Sequence, residues 1–113
     1  MNFNINRVKI VVTAPSNNIE EVRNAICSEG AGVIDNYTNC SMTTKCIGTF
    51  KPNDKANPYI GERNKMEFVE EEKLEAVCNV CNVKKVISKL REVHPYEEPA
   101  IDIIPLLDEE DFK

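Results

Sequence analysis

The chain has 113 residues, 42% of them hydrophobic and 29% charged, a mixture that suits one compact domain and leaves no room for two. Nineteen acids against fourteen bases give a formal charge of −5, the wrong sign for a surface that neutralises phosphates, so nucleic acid is excluded as an expected partner. The longest apolar runs fall far short of a membrane span, the start shows no basic and apolar leader pattern, and the five cysteines make an odd count. The expectation is a cytoplasmic protein with reduced thiols and no membrane partner.

Ile5 to Ala14 alternates, with Val8, Ile10 and Val12 on one side and Arg7, Lys9, Val11 and Thr13 on the other, which predicts a half-buried strand ended by Pro15. Ile19, Val22, Ala25 and Ile26 then fall at helical spacing between Ser16-Asn17-Asn18 and Gly30-Ala31-Gly32, a polar front and a glycine stop. Val33 to Pro52 is rich in β-branched and aromatic residues interrupted by Asn and Gly, and predicts a strand with a bend or bulge.

A further strand is predicted from Met66 to Cys78. The long loop between the two, Lys51 to Asn64, carries Pro58, Tyr59 and Ile60, too apolar for a plain linker, and is expected to be packed. Val83, Val86, Ile87, Leu90 and Val93 make the clearest amphipathic stripe, with Asn82 as its expected cap and His94-Pro95 as its stop. Ala100 to Leu107 reads as a last strand, and residues 108–113 as a frayed acidic tail beyond a domain of residues 1–107.

The order strand, helix, strand, strand, helix, strand predicts an α+β, ferredoxin-like βαββαβ sandwich: a four-stranded antiparallel sheet with two helices on one face and a long loop between the middle strands. Its sheet edges favour a homo-oligomer, since unpaired edges must be covered.

His94-Pro95-Tyr96-Glu97-Glu98-Pro99 is the densest group of functional side chains. Held extended by its prolines, it would put His94, Tyr96 and Glu98 to one side, where His94 and Glu98 could hold a divalent metal ion. The plainer reading makes the segment a rigid connection, with His94 capping the last carbonyls of the helix. The carboxylates Glu67, Glu70, Glu71, Glu72 and Glu75 read as a solvated face, and the cysteines as small hydrophobes rather than a zinc site. No nucleophile motif, phosphate loop or dinucleotide fingerprint is present, so catalysis by this chain alone is not expected, and no catalytic residue or resident cofactor is assigned.

Three segments taken together resemble one family: Gly30-Ala31-Gly32-Val33-Ile34-Asp35-Asn36-Tyr37, then Gly48-Thr49-Phe50-Lys51-Pro52 with Ala56-Asn57-Pro58-Tyr59-Ile60-Gly61, then the His94 to Ala100 segment. They are similar to the YqfO-type domain of the Nif-three-like family. The last segment is also similar to the CutA proteins, relatives of the PII signalling fold. The resemblance implies a PII/CutA-like subunit that assembles as a homotrimer and serves as a regulatory or ligand- or partner-binding module. A CutA-like divalent-metal protein is the alternative. It implies ligand contacts at His94, Tyr96, Glu97, Glu98, Asn36, Tyr37 and Asn57. It also implies that enzymatic labels belong to a separate metal-centre domain that these residues do not supply. Asp35, Cys46 and Lys55 stand where the family usually has glycine, which puts a ligand cradle built from those backbones in question.

Overall fold

The computed structural model describes residues 3–112; positions 1–2 of the expected domain and 113 of the expected tail lie outside the described residues. The elements run β1 (Arg7–Pro15), α1 (Ile19–Ser28), β2 (Met42–Phe50), β3 (Glu67–Asn79), α2 (Val83–Val93) and β4 (Ile101–Leu106). They form one antiparallel sheet in the order β2-β3-β1-β4, the predicted ferredoxin-like arrangement.

The core lies between the sheet and the two helices. Val8, Ile10 and Val12 of β1 and Leu74, Ala76 and Cys78 of β3 pair register by register and are buried with Val22 and Ile26 of α1 and Val86 and Leu90 of α2. Burial of these apolar side chains is the main favourable term in a domain of this size. The end of α1 is a Schellman turn. The Gly30 amide donates to the Cys27 carbonyl and the Ala31 amide to the Ile26 carbonyl, which requires the positive φ of 108° that glycine adopts without strain.

Three local expectations are corrected. Residues 33–41 do not join a strand: Ile34 and Tyr37 exchange backbone hydrogen bonds of 2.9 Å in a tight turn, Asp35 and Asn39 take φ of 51° and 59°, and β2 starts only at Met42. Asn82 does not cap its helix through its side chain, and the polar segment Ser16 to Asn18 gives α1 no side-chain cap at its N-terminal position, because a 3-10 turn precedes each helix and leads the chain in. The acidic tail is built into a 3-10 turn, Glu109–Asp111, in which Asp108 and Asp111 form a reciprocal capping box while Arg7 of β1 pairs with Asp108. Of the glycine replacements, only Asp35 occupies left-handed backbone; Cys46 and Lys55 do not.

β3 is longer than its neighbours. β1 pairs with residues 71–79 of β3 and β2 with residues 67–75, so beyond Pro15, opposite Glu71, the sheet narrows to a two-stranded ribbon. The ribbon accounts for the elongated shape, 52 × 30 × 24 Å. The step where β1 stops is the notch in which the site forms.

Candidate functional site

α2 ends at Val93, with the His94 amide donating to the Leu90 carbonyl at 2.9 Å. The chain then crosses the end of β1 to enter β4, and His94 fixes this crossing. Its ring is buried, its Nε2 meets the Thr13 carbonyl of β1 at 2.8 Å, and its Nδ1 accepts the Tyr96 amide at 3.1 Å. Those partners assign the proton to Nε2 and a neutral ring. Burial pushes the imidazole below its ordinary range, and the Thr13 carbonyl and Glu71 offset this only in part. The ring therefore bonds to β1 rather than to the carbonyls of α2, and both nitrogens are engaged within the chain. Glu98 is exposed and pairs with Arg91 at 3.3 Å.

Tyr96 reaches from this crossing into the notch. Its hydroxyl donates to Glu71 Oε2 at 2.6 Å, a charge-assisted distance. Burial, the hydrogen bond and the neighbouring carboxylate all push the phenol well above the ordinary tyrosine range, so the hydroxyl keeps its proton. Glu71 is 5% exposed, against the expectation of a solvated acidic face. It is buried because it stands at the step in the sheet and is covered by the Tyr96 segment, whereas Glu70 on the ribbon is exposed. Among the described residues no donor reaches the other carboxyl oxygen, Oε1.

The loop from Lys51 to Asn64 closes the third side. Lys55 N–H donates to Asn53 Oδ1 at 3.0 Å, Arg63 Nε–H to the Ala56 carbonyl at 2.7 Å, and the Asn57 amide to Glu97 Oε2 at 2.9 Å. Pro52 is buried and Pro58 and Ile60 are half-buried, while Tyr59 is exposed with its ring 6.4 Å from that of Tyr96. Phe50, at the end of β2, meets Tyr96 edge-on at 5.9 Å.

These elements enclose an open cleft of about 460 Å³, walled by Cys46 to Phe50 of β2, Glu71 of β3, the loop residues Pro52, Pro58, Tyr59 and Ile60, and Tyr96, Glu97 and Glu98. That volume lies in the range of small-molecule sites. Of the residues expected at a site, Tyr96, Glu97 and Glu98 line the cleft, Asn57 ties the loop across it, and His94 supports it from behind. Asn36 and Tyr37 are not part of it; they belong to the turn between Gly32 and Cys40, where Tyr37 is 73% exposed. Sequence reasoning missed Glu71, Phe50 and Gly48. Among the described residues no group of three or more His, Cys, Asp or Glu side chains is placed to hold a metal ion, and no helix is long and apolar enough to cross a membrane.

No family model matches the chain. Curated proteins do. The chain is 44% identical over 101 residues, 89% of its own length, to the "GTP cyclohydrolase 1 type 2 homolog" of Halalkalibacterium halodurans, and 43% identical over 98 residues to the protein of the same name from Bacillus subtilis. Among solved structures, a Bacillus cereus protein related to NIF3 superposes on 93% of the chain with a TM-score of 0.79 at 35% identity. The chain is a relative of the Nif-three-like proteins. It spans about a quarter of their length, 27% of the Halalkalibacterium protein and 27% of the Bacillus cereus chain. CutA from Archaeoglobus fulgidus, a periplasmic divalent cation tolerance protein, shares the fold with a TM-score of 0.65 at 19% identity and matches 83% of its own chain. The Nif-three-like and CutA-like parts of the sequence resemblance thus meet in one architecture.

Proposed function

We propose that this Nif-three-like, CutA-folded chain is a regulatory module that binds a small ligand in the cleft at the sheet step and works as a cytoplasmic homotrimer. The observation that carries the reading is the hydrogen bond between buried Glu71 and half-buried Tyr96 inside an otherwise largely apolar cleft. Burying a carboxyl group opposes folding unless its oxygens are satisfied; Tyr96 satisfies Oε2, and Oε1, with no donor among the described residues, is left to the cleft. An apolar cleft with a few placed polar groups is the usual form of a small-molecule site. The open edges of β2 and β4 support assembly, because unpaired edges are protected in stable folds. The reading assigns the chain no reaction.

The test has two parts. Light scattering on the purified chain should report three times 12.8 kDa, and a monomer would remove the assembly. A fragment screen read by amide chemical shifts should gather its hits on Gly48, Phe50, Asn57 and Tyr96. Hits that avoid these residues would remove the cleft.

A further inference from the structure

We infer that the cleft selects an organic cation: a primary amine or guanidinium carried on a compact apolar or aromatic body. This rests on the cleft being a ligand site and specifies the chemistry it takes. Glu71, a residue only 5% exposed, lines the cleft, and its Oε1 accepts no hydrogen bond among the described residues and keeps access to the cleft. The Tyr96 hydroxyl spends its proton on Oε2 and keeps a lone pair free, so a ligand N–H group can be received by Oε1 and by the tyrosine oxygen together. A charged donor makes such bonds about twice as strong as a neutral one.

The surroundings favour the same class. The rings of Phe50 and Tyr59 flank Tyr96 at 5.9 and 6.4 Å and offer aromatic faces, which attract cations. Glu97 and Glu98 stand at the rim with Glu71 within, against Lys51 alone among the charged residues lining the cleft. An anion such as a nucleoside triphosphate meets the wrong field. A metal ion lacks a cluster of three ligands among the described residues, whereas an organic cation needs one buried carboxylate and an apolar wall, and both are present.

The test is a titration of the full chain, by calorimetry and amide shifts, with three molecules on one frame: tyramine, its neutral alcohol tyrosol, and the anion 4-hydroxyphenylacetate. Tyramine should bind with shifts at Gly48 and Tyr96, at least about tenfold tighter than either analogue, and E71Q should abolish that preference. Because the analogue series is run on the unaltered protein, it decides the matter even where the variant is unstable. Equal binding of tyrosol or the acid in the cleft, or an undiminished preference in E71Q, overturns the cation assignment and leaves the cleft as a ligand site. Absence of cleft shifts with all three, together with fragment hits elsewhere, overturns both.

Discussion

Gly48 on β2 and Glu71 on β3 share one space: where a side chain at position 48 would begin, the Glu71 carboxyl already lies. β2 and β3 pair Cys46 with Glu71 and Gly48 with Val69, so the two positions are diagonal neighbours on one face of the ribbon. The glycine here has ordinary extended backbone, and its role is to leave room rather than to turn the chain. Gly48→Ala should therefore destabilise the domain by about 1–3 kcal/mol in chemical denaturation, through overpacking against the carboxyl. An unchanged midpoint would mean that Glu71 moves aside freely.

Tyr96→Phe deletes the donor to Glu71 Oε2 and keeps the ring against Phe50 and Tyr59. The stranded carboxyl oxygen should cost about 1–3 kcal/mol. A double-mutant cycle with Glu71→Gln should show coupling between the two sites, and additive effects would show that the hydrogen bond is not made.

His94 gives the domain a pH dependence of known sign. Its folded pKa lies below the ordinary 6.5, so the native state favours the neutral ring more than the unfolded chain does. That contribution is complete above the unfolded value and is lost as pH falls from there through the folded value. Denaturation midpoints of the unaltered protein should drop over this window more steeply than those of His94→Asn. Parallel curves would place the titration elsewhere.

Engagement of both His94 nitrogens also bears on metals. A divalent ion at His94 and Glu98 would have to displace either the Thr13 carbonyl or the Tyr96 amide, and to compete with Arg91 for Glu98. Zinc or copper titrated into the unaltered protein and into His94→Ala should therefore give the same isotherm. Micromolar binding lost in the variant would instead support the metal-binding alternative.

The element order, the helix stripes and the antiparallel sheet were legible because period-2 and period-3.6 patterns survive in β1, α1 and α2 without help from distant residues. Residues 33–41 were not, because Val33, Ile34 and Tyr37 have strand composition while positive φ at Asp35 and Asn39 turns the chain back. The cleft was half legible. The His94 to Pro99 segment announced itself by density of functional groups, but Glu71 looked like its neighbours in a run of five glutamates. What separates it is the position at which β1 ends, which only the register of three strands reveals. Gly48 was the one available hint, a glycine in mid-strand that marks close approach.

The loop from Lys51 to Asn64 docks on the segment after α2 and so builds a preformed cleft. Site-resolved amide hydrogen exchange on the ligand-free full chain reads this contact directly, because the Asn57 amide is held by Glu97 across the cleft and by nothing within its own loop. The Asn57 and Tyr96 amides should be protected by at least about tenfold over the unstructured rate, with the Asn57 protection alone lost in Glu97→Ala. An Asn57 amide that exchanges at the unstructured rate in the unaltered protein would contradict this docking.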